Sequence, residues 1–515
     1  MSNLQQVLAP LPCTPGAITL PDPFGTAIIS VDASPVFNLS KHINKGLYVN
    51  HGAIHVESID FCNFTVAYTH PGHHDLVNVQ MWLPMNSWNG RMQAIGGAGW
   101  SAGISPFADI SLAGAVAEGY AALTTDGGHA SENSVADWAL LESGKVDFHT
   151  LEDFASVSLN DSAYIGKSVV KAFYGRPPEY SYWSGCSQGG RQGMMLAQKY
   201  PNAYDGIVAS APAIYWGQFV VAGLWLQVTM NALGSFPRPC EFRALTSAAI
   251  SACDGNDGVV DGVISEPGLC QFDPLTLVGT AVNCEGDERV EISKAAATVA
   301  KIAWDGLRSW DGSLLWYGLN HEADLTGFGG LADTTCDTAG SCKGLPNSLF
   351  ADWVKVFIKR NPRFDPVNIT KEEFERIFHD SVQEYDSTIG TAVPDLSAFH
   401  DRGGKLADQI ITPYGTRRYY NAMIARDPKV HDYYRVFEAP GVAHCFHGRG
   451  FYPDGIFDKM VDWVEKGEAP DRLNATSFED NESRFERRIL CPYPQKVLYD
   501  GEGDPTLPDS FYCGS

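Results

Sequence analysis

The chain has 515 residues, of which 44% are hydrophobic and 19% charged, and its 61 acidic against 37 basic residues give a formal net charge of −24. This acidity argues against a nucleic-acid partner, whose phosphates would be repelled. It also has no apolar run near the ~18 residues of a membrane-spanning helix, so we expect no membrane insertion. The length predicts two domains rather than one core.

The first 215 residues alternate short apolar strands with helical stretches. Apolar runs that end in turns predict strands within 91–100, 119–128, 180–185 and 206–212. Apolar spacing predicts helices over 154–174 and 190–200. This alternation indicates an α/β class, with a parallel sheet covered by helices on both faces.

The sequence pattern changes between residues 216 and 394, which are rich in predicted loops and Asp/Gly turns and contain half of the cysteines. Strand-like sequence resumes at 433–445, and an amphipathic helix is predicted over 455–467, with Gly467 at its C-terminal cap. We therefore interpret 1–215 and 395–515 as two parts of one α/β domain. Residues 216–394 form a second domain inserted between them.

The stretch Gly185-Cys186-Ser187-Gln188-Gly189 matches G-x-S-x-G between a predicted strand and a predicted helix. So sharp a turn needs small neighbours, and it exposes a serine hydroxyl for nucleophilic attack. It also directs the N–H of Gln188 toward the same point, where it can donate to an oxyanion. The second donor is expected from the glycine loop 96–99, at Gly97. The competing interpretation is that both glycine clusters are only tight turns.

A serine nucleophile needs a base, and His444 is the preferred candidate among the histidines that follow Ser187. It lies in a turn directly after a predicted strand, and Cys445 follows it. A disulfide between Cys186 and Cys445 would bring their Cα atoms to about 4.4–6.8 Å and hold Ser187 and His444 within hydrogen-bond reach. The alternative is that Cys186 is a small buried thiol. The other candidate bases are His321, His379, His400, His431 and His447.

Twelve cysteines without a CxxC zinc pattern favour a disulfide framework and an oxidising compartment. Six N-x-S/T triplets agree with this, although such triplets also occur by chance; they begin at Asn38, Asn63, Asn160, Asn368, Asn474 and Asn481. The first residues have neither the basic nor the apolar region of a signal peptide. We expect a secreted, extracellular protein whose signal peptide is absent from this chain.

The segment 253–270 has the composition of a calcium loop. Asp254, Asp257 and Asp261 are spaced for a tight turn that directs three carboxylates inward, and glycines separate them. Hard oxygen ligands in a flexible loop suit Ca²⁺, which would be structural here. The alternative is an ordinary acidic turn, but Cys253 and Cys270 flank the loop and could clamp it.

Several of these stretches together resemble the fungal tannase and feruloyl esterase family. They are "GCSQGGRQG" at 185–193, "PGVAHC" at 440–445 and the acidic loop, with "FCNFTVAYTHPG" at 61–72, "TTDGGH" at 124–129 and "DWVEKGEAPDRLNAT" at 462–476. The resemblance implies an α/β-hydrolase fold with a large inserted lid domain and a Ser-Asp-His triad flanked by a disulfide. It also implies hydrolysis of phenolic acid esters, either small molecules or esters on plant cell-wall polysaccharides.

The same resemblance assigns further residues. It places the triad acid at Asp408 and disulfides at Cys13–Cys62 and Cys491–Cys513. Cys240–Cys284 and Cys336–Cys342 are the pairs that remain, and the sequence does not establish them. The calcium ligands it implies are the side chains of Asp254, Asp257 and Asp261 and the carbonyls of Val259 and Val263.

The chain departs from the family pattern just before Asp408. Family members carry a longer run between the "GGKL" segment, here 403–406, and the acid; roughly half a dozen residues of a sheet strand are missing. Either the 403–406 segment is drawn into the sheet or Asp408 lies away from its proper place, with Asp401 as a fallback acid. The alternative function is that of an impaired family member that binds phenolics or glycans.

Overall fold

The computed structural model describes residues 11–285, 288–327, 329–338, 340–410, 413–478 and 486–515, with backbone only at 408–410 and 413. Of the glycosylation triplets, the one at Asn481 lies outside these residues. The first part of the chain, up to Ser210, supplies most of a large sheet. Its strands are β1 Ala27–Ile43, β2 Ile54–Thr69, β3 Val77–Pro84, β4 Arg91–Ile95, β5 Ala121–Thr125, β6 Tyr180–Cys186 and β7 Gly206–Ser210. Its helices are α1 Pro106–Ala117, α2 Val135–Ala139, α3 Phe148–Glu152, α4 Ser158–Tyr174 and α5 Gln188–Lys199.

The middle of the chain, from 216 to 401, is mostly helical. Its helices are α6 Trp216–Ala222, α7 Trp225–Leu233, α8 Pro239–Cys253, α9 Lys294–Asp305, α10 Ser348–Asp352, α11 Lys371–Ile389 and α12 Ser397–Asp401. Its short strands are β8 Ala281–Asn283, β9 Arg289–Glu291, β10 Leu307–Arg308, β11 Leu314–Trp316, β12 Thr334–Cys336 and β13 Cys342–Gly344. These six strands form three separate hairpins, and none of them belongs to the large sheet.

The last part returns to the sheet. It consists of β14 Lys405–Ile410, α13 Pro413–Arg426, β15 Tyr434–Glu438, β16 Phe451–Pro453, α14 Ile456–Lys466, β17 Leu473–Ser477, β18 Arg487–Leu490, β19 Lys496–Tyr499 and β20 Phe511–Gly514. The large sheet has the strand order β1-β2-β3-β5-β4-β6-β7-β14-β15. Pairing is antiparallel from β1 to β5 and parallel from β5 to β15. The carboxyl ends of the parallel strands therefore meet at one edge.

Two apolar layers cover the sheet. One lies against α4 and α5 and continues through Trp216 and Trp353 into the middle of the chain. The other lies against α1 and α14. On α14, the predicted apolar face is buried through Phe457, Met460 and Trp463, and the helix ends at Gly467 with φ 76°. Each such side chain contributes about 1.5–3 kcal/mol when fully removed from water.

The shortened segment before Asp408 forms a complete strand. Lys405 and Leu406 pair with the start of β7, and the strand pairs with β15 from Leu406 to Ile410. Leu406 and Ala407 are buried in different apolar layers. Lys405 and Leu406 of the "GGKL" segment are therefore drawn into the sheet, as the first of the two alternatives expects, while Gly403 and Gly404 lie before the strand. Among the described helices, none combines the length and apolar character needed to cross a bilayer.

Candidate active site

The turn after β6 holds Ser187 in an uncommon conformation. It is the single residue between β6 and α5, with φ 63° and ψ −118°. The glycines around it are required by space, since a Cβ at Gly185 would lie 2.4 Å from the carbonyl oxygen of Gly189. The turn is held by the N–H of Ser187, which donates to the carbonyl of Ser210 on β7 over 3.0 Å. A strained serine exposed at the end of a strand is the arrangement expected of a nucleophile.

The glycine loop after β4 packs directly against this turn. The N–H of Gly189 donates to the carbonyl of Gly97, and the N–H of Gly96 to that of Ser184, each over 2.9 Å. A Cβ at Gly96 would lie 2.6 Å from Cα of Gly189. The two glycine clusters are therefore parts of one assembly, and their close backbone contact is why both must be glycine.

Some of the backbone N–H groups beside Ser187 already donate a hydrogen bond within the protein, and others do not. The N–H of Gly97 donates to Oε1 of Gln192 over 2.9 Å, so the donor predicted at this position is already engaged. Within the described chain, the N–H groups of Gln188 and Ala98 have no acceptor, and both residues line the same cavity as Ser187. Free donors beside the serine are thus present at Gln188 and at Ala98, one residue past the predicted Gly97.

His444 lies opposite Ser187, in the turn that follows β15. Its Nε2 is 2.8 Å from Oγ of Ser187. The predicted disulfide between Cys186 and Cys445 is present, with the two Cα atoms 5.9 Å apart. The serine and the histidine are each covalently next to this bridge, so the bridge fixes the distance between them.

Three of the remaining disulfides are the expected ones: Cys13–Cys62, Cys253–Cys270 and Cys491–Cys513. The four cysteines that the sequence left open pair as Cys240–Cys284 and Cys336–Cys342. No cysteine is left free.

The other candidate bases lie elsewhere. His400 stacks beside Tyr433, and His431 bonds the hydroxyl of Tyr420. His321 packs against Trp304, His379 is exposed on α11, and His447 contacts Phe446. Among the described residues, His444 is the one whose ring nitrogen is within hydrogen-bond distance of the Ser187 hydroxyl.

His444 is an exposed residue that lines the cavity together with Ser187. Surrounding protein atoms desolvate the imidazole, and this lowers its pKa to about 4. Desolvation disfavours the charged form, so the neutral ring that can accept a proton predominates above that pH. Ser187 therefore faces a base in its working protonation state.

The position of the predicted acid is defined only through its backbone. Asp408 is the fourth residue of β14 and lies opposite Val436 of β15, while its side chain lies outside what the structure describes. The fallback Asp401 ends α12, ahead of the amino end of β14. Ser187 and His444 follow the carboxyl ends of their strands, so Asp401 is at the wrong edge of the sheet.

A cavity of about 770 Å³ opens above Ser187 and His444. Much of its wall comes from aromatic side chains of the middle segment, namely Trp216, Phe219, Trp225, Trp316, Tyr317 and Phe350. Arg417 and Glu438 form a two-pronged ion pair in this wall. The volume of the cavity and its aromatic lining suit a small molecule that contains a flat ring.

Arg191 lies one helical turn after the serine, and sequence inspection missed its role. It is completely buried, and its Nε donates to Oε1 of Gln188 over 2.8 Å. Its Nη1 donates to the carbonyl of Ala155 over 2.9 Å, and burial lowers the pKa of the guanidinium to about 9. Arg191 therefore fixes the residue that carries the free N–H beside Ser187. The i, i+3 spacing of Gln188 and Arg191 on α5 was the available signal.

The acidic loop 253–270 turns its carboxylates toward its own backbone. The two oxygens of Asp254 accept from the N–H groups of Asp261 and Gly262, over 3.0 and 2.9 Å. One oxygen of Asp257 accepts from the N–H of Val259 over 3.0 Å, and burial raises the pKa of both Asp257 and Asp261. The three carboxylates do not bring one oxygen each within 4.8 Å of one another.

The loop nevertheless has the donor chemistry of a calcium site. Arg488 pairs with Asp261 over 2.8 Å and offsets one of the three negative charges. Asp254, which is buried, and Asp257, which is half-buried, remain beside backbone carbonyls, and these are hard oxygen donors. The predicted ligands therefore fit Ca²⁺ in kind, with the carbonyls of Val259 and Val263 needed to complete the set.

Glu322 joins this loop to the turn of the histidine. Its Oε2 accepts from the N–H of Ile264 over 2.8 Å, and its Oε1 accepts from the N–H of Gly441 over 2.9 Å. Ile264 follows the last predicted calcium ligand, and Gly441 lies three residues before His444. One buried carboxylate thus ties the acidic loop to the site.

The fold and the site define a class. A mixed sheet covered by helices, a strained serine after β6 and a histidine after the last parallel strand are the features of an α/β-hydrolase. Comparison with known proteins gives the family within this class. The sequence model of the tannase and feruloyl esterase family matches residues 62–514. The chain belongs to this family, whose members are carboxylic ester hydrolases.

Individual relatives agree with this assignment. A protein named "Probable feruloyl esterase" from Arthroderma benhamiae is 42% identical over 470 residues, which cover 88% of this chain and 86% of that protein. The tannase of Aspergillus oryzae is 28% identical over 92% of this chain and 87% of its own. The structure of the tannin acyl hydrolase from Aspergillus niger superposes with a TM-score of 0.88 at 27% identity, and covers 99% of this chain and 96% of its own.

Proposed function

We propose that this protein hydrolyses esters of phenolic acids through an acyl-enzyme intermediate on Ser187. The observation that carries the proposal is the 2.8 Å distance between Nε2 of His444 and Oγ of Ser187, next to the Cys186–Cys445 bridge. The names of the relatives, feruloyl esterase and tannase, support phenolic acids as the acyl group. The aromatic wall of the cavity supports the same class of substrate.

The first half of the reaction forms the acyl-enzyme. Oγ of Ser187 attacks the ester carbonyl carbon while Nε2 of His444 accepts the hydroxyl proton. The tetrahedral intermediate carries its negative charge on the former carbonyl oxygen, which the N–H groups of Gln188 and Ala98 are placed to bind. When the intermediate collapses, the bond to the alcohol oxygen breaks and His444 donates the proton to the leaving alcohol.

The second half releases the acid. His444 takes a proton from a water molecule, the hydroxide attacks the acyl carbon, and collapse returns the proton to Ser187. Asp408 would orient His444 and stabilise its charged form, as a carboxylate does in other serine hydrolases. Arg191 acts as a positioning residue, because it touches Gln188 and not the reacting atoms.

The test is turnover of methyl ferulate and propyl gallate by the protein and its Ser187→Ala variant. We expect loss of about 10⁶-fold in kcat, because the nucleophile and its base act as one unit. A phosphonate probe should add mass to the Ser187 peptide of the folded protein. Ester binding without turnover, equal in both proteins, would instead support the binding-protein alternative and contradict our proposal.

We also propose that Ca²⁺ occupies the 253–270 loop and that the protein is secreted. Secretion is supported by the six disulfides, which persist in oxidising compartments. Metal analysis should find one Ca²⁺ per chain, and chelation should lower the melting temperature of the protein. In Asp257→Asn the effect of chelation should shrink. A melting temperature that does not respond to chelation would contradict the calcium assignment.

A further inference from the structure

A second cluster of ionisable side chains lies away from the serine, where β2 ends. His70 follows β2 directly, and its Nδ1 lies 2.5 Å from Oδ2 of Asp75 and 3.7 Å from Oδ1 of Asp153. Its Nε2 lies 3.1 Å from Oδ2 of Asp161 on α4. In the described part of the chain, His70, Asp75 and Asp153 are the only three His, Cys, Asp or Glu side chains with ligand atoms all within 4.8 Å of one another.

One carboxylate of this cluster has an oxygen without a partner. Asp153 is 2% exposed, and its Oδ2 accepts no hydrogen bond. Gly128, which has φ 87°, lies beside this oxygen; a Cβ built on it would be 3.8 Å from Oδ2, in ordinary van der Waals contact. A buried carboxylate oxygen that receives neither a proton donor nor a charge is costly, so the position calls for a positive partner.

The charges of the cluster do not balance. Asp75, Asp153 and Asp161 surround a single imidazole, which can supply at most one positive charge. A bound cation would offset the excess negative charge of the cluster.

We propose that His70 Nδ1 and the carboxylates of Asp75 and Asp153 bind a divalent transition-metal ion, while Asp161 accepts a hydrogen bond from Nε2 of His70. An imidazole with carboxylates suits Zn²⁺ or Mn²⁺, in contrast to the oxygen-only donors of the 253–270 loop. A carboxylate on the far nitrogen is the usual companion of a metal-bound histidine, because it fixes the tautomer that leaves Nδ1 free to bind.

The site has a structural connection to the turn beneath the serine. Asp153 begins a π-helical turn, Asp153–Val157, and the carbonyls of Phe154 and Ala155 in this turn accept from the buried Arg191. An ion bound to Asp153 would hold the start of this turn in place. Its role is therefore structural, and it takes no part in the ester chemistry.

The experiment uses the full-length protein, stripped with chelator and then saturated with Ca²⁺ so that the 253–270 loop is filled. Titration with Zn²⁺, and separately with Mn²⁺, in a calorimeter should show one further equivalent of metal. We expect Asp153→Asn to weaken binding at least 10-fold, and Asp161→Asn to weaken it by about 10- to 100-fold. Glu152→Gln is the matched control, because Glu152 is the exposed neighbour of Asp153 and should leave affinity unchanged.

Two further measurements keep the proposal open to rejection. His73 and His149 stack outside the cluster and are an alternative zinc ligand pair, so His73→Gln tests for surface binding. Binding that is lost in His73→Gln and kept in Asp153→Asn would overturn the proposal, as would the absence of any equivalent beyond calcium. X-ray absorption of the wild-type zinc protein should show one imidazole nitrogen with oxygen ligands, and this result does not depend on the folding of a variant. Two or more imidazoles in the shell would contradict the assignment.

Discussion

The ends of β6 and β15 differ from the end of β14 in how firmly the surrounding chain defines them. Ser187 and His444 are held by a disulfide, a mutual hydrogen bond and a turn whose glycines leave no room for other residues. Asp408 is held by backbone pairing with β15 on one side, and the pairing of β14 with β7 ends at Ala407. The comparison shows that the positions of Ser187 and His444 are each fixed by several contacts, whereas the position of the proposed acid, Asp408, depends on the register of a single strand.

Among the variants that test this comparison, the largest effect is expected from Asp408→Asn. If the strand register brings this carboxylate to His444, loss of its charge should lower kcat by about 10⁴-fold, the loss seen when a triad acid becomes an amide. Steady-state kinetics with methyl ferulate measure this. Asp401→Asn is the control and should retain full activity. If Asp408→Asn keeps more than a tenth of the wild-type kcat, Asp408 is not the acid of the triad.

A smaller effect is expected from opening the bridge with Cys186→Ala and Cys445→Ala together. The loop that the bridge closes spans 259 residues, so its removal should cost about 2–5 kcal/mol of unfolding free energy. Misplacement of His444 by about 1 Å should reduce kcat by roughly 10²-fold. Denaturant unfolding and kinetics read out the two effects. The control removes Cys336 and Cys342, which close a hairpin of the middle segment, and should leave kcat unchanged. If this control lowers kcat as much as removal of Cys186 and Cys445 does, the Cys186–Cys445 bridge has no special role at the site.

The smallest effect concerns the pH dependence of kcat/KM. In the described structure only burial acts on His444, and it lowers the pKa to about 4. A carboxylate of Asp408 beside the ring would stabilise the charged form and raise that pKa. Activity requires the neutral ring, so it falls as the pH falls through this pKa. On the acid side, kcat/KM of the wild type should therefore fall at a higher pH than kcat/KM of Asp408→Asn, which should fall near pH 4. If the two curves coincide, Asp408 does not contact His444.

Short, local motifs were the predictable part of the molecule. Ser187 is adjacent in sequence to Cys186, and His444 is adjacent to Cys445. The strand–turn–helix pattern around Ser187, together with one disulfide, therefore predicts the geometry of the pair. The sequence did not reveal that the N–H of Gly97, predicted as the second oxyanion donor, is engaged by the side chain of Gln192, because this contact joins two elements. Sequence spacing does not reveal such contacts.

Long-range features were less accessible. Lys405 and Leu406 enter β14, where Leu406 and the following Ala407 fill apolar layers on the two faces of the sheet; this is a property of the assembled fold. The cluster around His70 was not predicted, because its members come from the end of β2, the following turn and the start of two helical segments. No spacing within any one of these elements indicates that they meet.

The Cys186–Cys445 bridge also bears on how the middle segment, which lines the cavity, is attached to the sheet. The middle segment leaves the sheet after β7 and returns at β14, and both departure points lie inside the ring that Cys186 and Cys445 close. The middle segment is therefore connected to the sheet at two points, and both lie between the two cysteines of the bridge. We expect a displacement of the middle segment to act first on β7 and β14, the strands next to those that precede Ser187 and His444.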